Sequence, residues 1–364
     1  MRLKFLTSWY MRYERLISSL SLVGGFVFDI FALKRIDLFW ENLWVGAHLL
    51  AAALGIILIN LYENQKHKLS EKVSGRIHFW LITVIQFAFG GLLSTFLVFY
   101  FRSGTLSASW PFLLLLALVF VFNELLKQRY ARLVFQTSVL FISTYSFAIF
   151  IVPVIVHKIG DDVFILSGLA SLCFLWIFLL GLKFISRERF LQSRKKLFVS
   201  IAMITILINI LYFTNLIPPI PLSLKDAGVY HSLSRGKDSN YTVTEEEQSF
   251  WSFFQPYELF HEVVGQPVYV YTSIFSPTNL NTQVFHDWQH YNEVTRKWES
   301  TSKISLLIVG GRSGGYRTYS MGNSPAAGLW RVDVTNSRGQ LIGRVKFQIE
   351  NVDSAPQLVV NILD

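Results

Sequence analysis

Residues 310–317 (GGRSGGYR) carry the most distinctive set of groups for ligand recognition in the sequence. Four glycines permit positive φ angles and close approach of a ligand to the backbone, whose N–H groups can bind an anion. Arg312 and Arg317 can donate paired hydrogen bonds to a carboxylate or a phosphate. Tyr316 and Tyr319 add aromatic surface. We therefore predict that Arg312, Tyr316, Arg317 and Tyr319 recognise an anionic envelope component, such as a glycan, or an acidic protein partner.

Two other interpretations compete with this one. The run lacks the Gly-Lys-Ser/Thr ending of a P-loop and does not follow a strand–loop–helix pattern, which argues against nucleotide binding. A structural hairpin, whose arginines pair with Asp333 or Asp287, is as compatible with the sequence as a ligand site.

Two histidines, His286 and His290, flank Trp288 in the segment FHDWQHY. Alternate residues of a strand share a face, so both imidazoles could approach one metal ion. A catalytic zinc ion needs three protein ligands, however, and no third candidate is close in the sequence. The chain also lacks a Gly-x-Ser-x-Gly elbow and a convincing pair of hydrolytic carboxylates. We assign no metal, no cofactor and no catalytic residue, and we favour a protein that is not an enzyme.

Asp29 and His48 are ionisable residues within or near long apolar segments. Because burial of a charge in hydrocarbon is costly, such residues suggest a function, and these two could line a polar pocket. The alternative, which we favour, is that Asp29 forms an ion pair with Lys34 or Arg35 close to the membrane interface, where the cost is small.

The helices predicted to precede the β domain lie in a strongly apolar region, residues 1–221. The mean hydropathy of +0.40 and a charged fraction of 16% are typical of a membrane protein. A transmembrane helix needs roughly 20 apolar residues, and seven segments qualify. They are residues 16–33, 43–61, 79–101, 110–126, 133–156, 163–185 and 197–216. We predict a bundle of seven transmembrane helices in residues 1–221.

The distribution of charge predicts the orientation of this bundle. Residues 1–221 have a net charge of +11, and residues 222–364 have a net charge of −2. Of the Lys and Arg residues in the first region, 17 lie at the N-terminus and in alternate loops and four lie in the other loops. This asymmetry predicts a cytoplasmic N-terminus and an extracytoplasmic C-terminal domain, which in a bacterium corresponds to a protein of the inner membrane. The C-terminal part has no basic face, so nucleic acid is not an expected partner.

Residues 222–266 are predicted to form a connector with a short, aromatic-rich helix. The string TEEE at residues 244–247 matches a capping box, which predicts a helix from Glu245. In residues 267–364, short segments of period two are separated by turns that contain Gly, Asn or Pro, a pattern typical of an all-β, immunoglobulin-like sandwich. The single cysteine excludes an intersheet disulfide, so Trp330 or Trp288 is expected to anchor the core.

The segments FHDWQHY, GGRSGGYRTYS, GLWRVDV and GRVKFQIE resemble a family of bacterial membrane proteins with a C-terminal extracytoplasmic domain of unknown function. The similarity lies in the His-x-Trp, Gly-Gly-Arg, Arg-x-x-Ser and Gly-x-Trp-Arg-Val motifs. The resemblance implies a membrane bundle followed by an outer β domain, and it implies no activity.

Two functions are compatible with these observations. We favour a non-enzymatic envelope protein, embedded in the lipid bilayer, that displays a β-sandwich for recognition, sensing or assembly. The alternative is a membrane-embedded enzyme or transporter that acts on lipid-linked or envelope saccharides, with the outer domain positioning the substrate. A deep polar cavity that joins Asp29, His48 and Gln86 would favour this alternative.

Overall fold

The computed structural model describes residues 23–33, 35, 37–65, 71–103, 106–125, 132–236, 240–247, 257–277, 280–312 and 314–363. The chain has two compact units, and its helical unit ends at Ile217. A β-rich unit follows from Pro218. Three prolines at positions 218, 219 and 221 mark the change, because proline lacks the N–H group that a continuing helix requires.

Seven helices make up the described part of the first unit. They are α1 (Val23–Ala32), α2 (Phe39–Gln65), α3 (Glu71–Ser103), α4 (Leu106–Leu125), α5 (Leu133–Val156), α6 (Asp161–Ile185) and α7 (Arg187–Phe213). Five of them, α2, α3, α5, α6 and α7, are long and apolar enough to cross a membrane. The described part of α1 and the apolar part of α4 (Ser109–Phe122) are shorter. Each of the seven predicted segments therefore coincides at least in part with a helix, and five of the helices are candidate spans; residues 16–22 lie outside the described residues.

The start of α7 differs from the prediction. The last span was expected to begin at residue 197, after a basic loop, but α7 begins at Arg187 and only Ser186 separates it from α6. Arginine and lysine have good helix propensity, so a basic segment next to an apolar helix readily continues it.

Polar side chains connect the helices to one another. Gln136 of α5 accepts a hydrogen bond from Asn60 of α2 at 3.1 Å. Asn209 of α7 donates one to the Tyr145 hydroxyl in α5 at 3.4 Å. The outer surface, in contrast, is apolar, and only 22% of the α7 span is buried. This arrangement is typical of helices whose outer faces contact lipid.

Eleven strands make up the described part of the second unit. They are β1 (Ser223–Tyr230), β2 (Ser232–Arg235), β3 (Tyr241–Glu246), β4 (Glu258–Val263), β5 (Pro267–Phe275), β6 (Asn281–Asn292), β7 (Lys297–Val309), β8 (Tyr316–Asn323), β9 (Gly328–Asn336), β10 (Leu341–Val352) and β11 (Leu358–Leu363). They form three sheets with the orders β1-β5-β8, β4-β10-β9-β6-β7 and β11-β3-β2. Strands β4 and β10 pair in parallel, whereas the other described pairs are antiparallel. The strands predicted after residue 267 are all present.

The predicted connector at residues 222–266 is wrong, because this region contains strands β1 to β4. Glu245 does not begin a helix but lies in β3, which pairs with β2 and β11. Tyr241 and Val243 are buried on one face of β3, and this period-two burial outweighs the capping-box string. The aromatic residues at positions 250–254 lie outside the described residues.

The core of the β unit is aromatic at its centre. Trp288 and Trp330 are 2% and 6% exposed, and their rings meet edge to face with centroids 6.3 Å apart. Phe347 contacts Trp288 in the same manner, at 6.0 Å. The indole N–H of Trp330 donates to the carbonyl oxygen of Ala326 at 2.7 Å, which satisfies its polar atom. Both tryptophans are therefore core residues, as the sequence predicted.

Candidate functional site

The glycine-rich run connects β7 to β8 and packs closely on the loop that follows β5. A Cβ atom at Gly310 would lie 1.8 Å from the carbonyl oxygen of Pro277, which only glycine avoids. The N–H group of Gly311 donates to the carbonyl oxygen of Ser276 at 3.1 Å. The fold therefore requires glycine at position 310, whatever the run binds.

The far end of the run forms a tight turn. Gly315 has a φ of +94°, and its N–H group donates to the carbonyl oxygen of Arg312 at 3.1 Å. The carbonyl oxygen of Gly314 accepts a hydrogen bond from the Ser273 hydroxyl at 2.6 Å. The N–H groups of Gly311 and Gly315 are thus used within the protein and do not belong to the anion-binding nest that the sequence suggested.

The two arginines project from this constrained backbone. Arg312 is exposed, and its guanidinium carbon lies 5.7 Å from the ring centroid of Tyr316. Arg317 is half-buried and donates a hydrogen bond to the side-chain oxygen of Asn240 at 3.3 Å. Arg312, Tyr316, Arg317 and Tyr319 form what we call the arginine–tyrosine surface.

The ion pairs expected in the structural interpretation do not form. Asp333 is bound instead by Arg344 of the neighbouring strand, with 2.6 Å between Nη2 and Oδ2. Asp287 accepts hydrogen bonds from Gln289 and Ser300. In the described part of the chain, no carboxylate lies within ion-pairing distance of Arg312 or Arg317.

Tyr319 is surrounded by aromatic residues that the sequence did not predict for the site. Its ring centroid lies 6.2 Å from that of Tyr241 in β3 and 6.2 Å from that of Tyr269 in β5. Arg235 of β2 lies 6.0 Å above the Tyr241 ring and adds a third guanidinium. Strand pairing brings these residues together, and a single sequence gives no signal for it. Only the alternation of Tyr269 and Tyr271 in β5 hinted at an aromatic face.

His286, considered as a metal ligand, is a fully buried core residue. Its Nδ1 lies 2.7 Å from the Ser320 hydroxyl oxygen, and its Nε2 lies 2.9 Å from that of Thr272. Burial lowers the pKa of His286 to about 4, so the ring is neutral at pH 7. His290 lies elsewhere, against the Trp330 ring. Among the described residues, no group of three or more His, Cys, Asp or Glu side chains could hold a metal ion.

Asp29 and His48, which lie in the apolar helices α1 and α2, are arranged differently from either expectation. Asp29 of α1 accepts a hydrogen bond from Ser94 of α3, and His48 of α2 lies against Gly91, about one turn away from Ser94 on the same helix. Arg35 pairs with Asp37 instead, with 2.7 Å between Nη2 and Oδ2, so the predicted pair with Asp29 is wrong for this residue. Lys34 lies outside the described residues.

His48 is itself buried where two helices approach closely. Its Nδ1 lies 2.9 Å from the carbonyl oxygen of Trp44, and its ring contacts the Trp44 ring at a centroid distance of 4.3 Å. A Cβ atom at Gly91 would lie 2.8 Å from the other ring nitrogen, so α3 passes close by. Asp29 and His48 thus join α1, α2 and α3 at one point.

Glu246 has a role that the sequence did not indicate. Its Oε2 lies 2.6 Å from Nδ1 of His261, and its Oε1 lies 3.1 Å from Nε2 of His231. The backbone N–H group of His261 also donates to Oε1 at 2.7 Å. Burial alone would raise the pKa of Glu246, but these hydrogen bonds outweigh it and hold the pKa below its usual value. The carboxylate joins β3 to β4, which belong to different sheets.

Part of this unit is similar to a known family of proteins. Residues 281–349 match a family model described as a protein of unknown function (DUF2914). The matched stretch runs from β6 into β10 and includes Arg312, Tyr316, Arg317 and Tyr319. No curated protein matches the sequence.

Several solved structures are similar in part. An immunoglobulin-like protein from Pseudomonas aeruginosa is 9% identical over 35% of this chain and 96% of its own, with a TM-score of 0.21. A β-glucosidase from Listeria innocua in complex with gluconolactone is 10% identical over 34% of this chain and 16% of its own, with a TM-score of 0.19. At these identities and scores the similarities say nothing about function.

Proposed function

We propose that this chain is a non-enzymatic, multi-pass protein of the bacterial inner membrane whose β unit recognises an anionic envelope glycan or an acidic protein partner. Recognition would occur at the arginine–tyrosine surface. The observation that carries the proposal is that the Arg312 guanidinium lies beside the half-buried Tyr316 ring and that no described carboxylate lies within ion-pairing distance of Arg312 or Arg317. A guanidinium group without an ion-pair partner keeps N–H groups that can donate hydrogen bonds to a carboxylate or a phosphate.

The composition of the surface supports recognition more than catalysis. Tyrosine and arginine dominate the energetics of binding interfaces because they combine a large contact area with directed hydrogen bonds. Tyr319 is 41% exposed and is supported from behind by Tyr241 and Tyr269. The constrained turn at Gly315 limits the backbone freedom that binding would otherwise have to remove.

Membrane topology and fold are part of the proposal. Seventeen Lys and Arg residues lie at the N-terminus and in alternate loops, against four in the other loops, and this asymmetry supports a cytoplasmic N-terminus. An odd number of spans then leaves the β unit outside. An immunoglobulin-like sandwich is supported by one buried cluster to which the five-stranded sheet and the β1-β5-β8 sheet both contribute. It contains Val229 and Val270 from one sheet and Trp288 and Phe347 from the other. Sandwich domains commonly bind through their loops and sheet edges, and the arginine–tyrosine surface includes both.

A second candidate is a membrane-embedded enzyme or transporter for lipid-linked or envelope saccharides. The observation that favours it is the contact of Asp29 with Ser94 near His48, because an ionisable group inside an apolar helix often has a function. Replacing Asp29 with Asn keeps the hydrogen bond and removes the charge. Normal function of this variant would eliminate the second candidate.

The recognition proposal is tested with the double variant Arg312→Ala/Arg317→Ala in the full-length protein. We expect it to reach the membrane, to retain the wild-type unfolding midpoint and to fail to rescue a strain that lacks the gene. The control is Arg296→Ala/Lys297→Ala, which removes the same charge from the exposed β6–β7 turn. Rescue by the arginine variant, or equal failure of the control, would contradict the proposal.

Chemical crosslinking would then identify the partner. A photoreactive amino acid at position 319 should yield a crosslinked product in cells, and the same group at Val294, which is 94% exposed, should not. Digestion of the product with a glycan hydrolase or with a protease distinguishes a glycan from a protein partner. A product that persists in the Arg312→Ala/Arg317→Ala background would not depend on the proposed surface.

A further inference from the structure

A cavity of about 540 Å³ opens in the β unit, bordered by strands β1, β3, β4 and β11. The described residues that line it are Ala227, Gly228, Tyr230, Glu245, Glu246, Glu247, Glu258, Val359 and Asn361. Four of them are glutamates, and none of these lining residues is a lysine or an arginine. The cavity therefore has a strongly negative wall, in contrast to the arginine–tyrosine surface.

The glutamates differ in how many hydrogen bonds their carboxylates already accept within the protein. Glu246 is occupied by His231 and His261, as described above. Glu245 accepts a hydrogen bond from the Asn361 amide at 2.5 Å, and Glu247 is exposed at the end of β3. A carboxylate has about four lone-pair positions, so Glu245 and Glu247 keep acceptor capacity for a ligand.

Tyr230 provides an observation that is independent of the glutamates. The residue is 94% buried, since its relative exposure is 6%, and it lines the cavity. Its ring lies over Gly228, where a Cβ atom would be 2.5 Å from the hydroxyl oxygen. In the described part of the chain, this hydroxyl makes no hydrogen bond within the protein, and its oxygen is accessible from the cavity, so it can contact a ligand there.

The surroundings of this hydroxyl are negative. Burial raises the pKa of Tyr230, and the charges of Glu245, Asp226 and Glu258 raise it further. A group that brings positive charge and N–H donors would therefore satisfy both the hydroxyl and the carboxylates. A hydroxyl oxygen can accept a hydrogen bond in this setting while its proton stays in place.

We propose that the acidic cavity binds a small organic cation that carries one or more ammonium groups, held by Glu245, Glu247 and the Tyr230 hydroxyl. An ammonium group has three N–H donors, which matches these three acceptors. The cavity volume lies in the range of small-molecule sites, about 300–1,000 Å³, and is larger than one ion requires. Ala227 and Val359 offer apolar contacts for the methylene groups of such a ligand.

A metal ion is the less suitable occupant. Among the described residues, no three carboxylate, imidazole or thiolate groups are arranged to hold one. An organic cation tolerates wider spacing, because its donors reach separate acceptors along the molecule.

The test uses the full-length protein in nanodiscs of zwitterionic lipid, with spermidine as the probe and titration calorimetry at fixed ionic strength. We expect saturable binding by the wild type and an affinity reduced about tenfold or more by Glu245→Gln/Glu247→Gln, because hydrogen bonds to charged groups are lost. The control Glu293→Gln/Asp353→Asn removes the same charge from exposed positions and should bind like the wild type. Mg²⁺ at equal ionic strength should not compete.

Three results would overturn the proposal: no saturable binding by the wild type, equal weakening in the control variant, or equal competition by Mg²⁺. If Glu245→Gln/Glu247→Gln does not unfold cooperatively, Tyr230→Phe decides the question. That variant removes one oxygen from a buried ring and should weaken spermidine binding about threefold to tenfold. Unchanged affinity would overturn the site. None of these results depends on the arginine–tyrosine surface.

Discussion

The imidazole of His286 is hydrogen bonded to the hydroxyl of Ser320, with 2.7 Å between Nδ1 and Oγ. The same hydroxyl oxygen accepts the indole N–H of Trp288 at 3.0 Å, and Thr272 covers the other ring nitrogen at 2.9 Å. Because each hydroxyl can donate or accept, this set satisfies a neutral imidazole completely. A protonated ring would carry an unpaired charge in the core.

This contact predicts a pH dependence of stability. The pKa of His286 is lowered by burial from 6.5 to about 4, so between these values the unfolded chain binds a proton that the folded chain does not. The free energy of unfolding should therefore fall as the pH decreases from 6.5 to 4, by up to roughly 3 kcal/mol. Urea unfolding of the β unit at several pH values would measure this.

Two variants assign the effect to its source. His286→Gln should lose the dependence between pH 6.5 and 4, whatever its absolute stability. His290→Gln changes a partly exposed histidine and should retain it. A slope that is identical in all three proteins would show that His286 does not titrate as the structure indicates.

Replacing Trp330 tests the core of the β unit. Trp330→Ala should lower the free energy of unfolding by about 3–5 kcal/mol, because it leaves a cavity beside Trp288. Trp330→Phe keeps the edge-to-face contact and loses the hydrogen bond to Ala326, so it should cost less. Thermal unfolding of the full-length protein compares them. An unchanged midpoint in the Ala variant would mean that Trp330 is not a core residue.

Glu246 is expected to stabilise the β unit through its two histidines. Glu246→Gln should lower the free energy of unfolding by about 1.5–3 kcal/mol, the usual value of hydrogen bonds to a charged group. The adjacent Glu247→Gln changes an exposed residue and should be nearly neutral. Denaturant unfolding of both variants at pH 7 gives the comparison, and equal effects would contradict the assigned role.

The pH dependence of the stabilisation by Glu246 follows from the direction in which its pKa is shifted. Because the folded pKa of Glu246 is lower than its ordinary value of 4.5, the stabilisation is fully present above pH 4.5. It is lost as the pH falls through the folded pKa. The difference between wild type and Glu246→Gln should therefore shrink below pH 4.5.

The strands of the β unit show which part of the fold can be predicted from a single sequence. Strands β5 to β11 were predictable because apolar residues such as Val345, Phe347 and Ile349 recur with period two, a local signal. The end of strand β3 overlaps the string TEEE at residues 244–247, whose local signal favours a helix start. Its strand conformation depends on pairing with β11, more than 100 residues away, which no local pattern reveals.

For the candidate site too, local features could be predicted from the sequence and contacts between distant segments could not. Arg312, Tyr316, Arg317 and Tyr319 were proposed as a recognition site from residue type within one short segment. The alternative in which Arg312 or Arg317 pairs with Asp333 does not hold, because the register of β9 and β10 places Arg344 directly opposite Asp333. Chemistry within a segment can be inferred from sequence, whereas contacts between segments require the register of the sheet.

Membrane topology is predicted by charge alone and can be tested directly. Alkaline phosphatase fused after Asp364 should be active in cells, because the enzyme folds only outside the cytoplasm. A reporter that works only in the cytoplasm should be silent at the same position. The same pair of reporters placed after Gln65 serves as the internal control, since the proposed orientation puts this end of α2 in the cytoplasm. The reverse pattern would contradict the proposed orientation.

The glycine-rich run allows structural and functional roles to be separated. Gly310→Ala would place a Cβ atom 1.8 Å from the Pro277 carbonyl oxygen, so the loop must move, at a cost of roughly 1–3 kcal/mol or more. Gly314→Ala is the matched control, because a Cβ atom there meets nothing within 4 Å. Unfolding midpoints should fall for the first variant and stay unchanged for the second.

The same two variants can also be compared for function, by their ability to rescue a strain that lacks the gene. If the arginine side chains alone carry recognition, Gly314→Ala should rescue a strain that lacks the gene as well as the wild type does. Failure to rescue at an unchanged unfolding midpoint would show that the ligand approaches the backbone at Gly314, since only the added methyl group distinguishes the two proteins. Equal destabilisation by both substitutions would contradict the packing of Gly310 against Pro277.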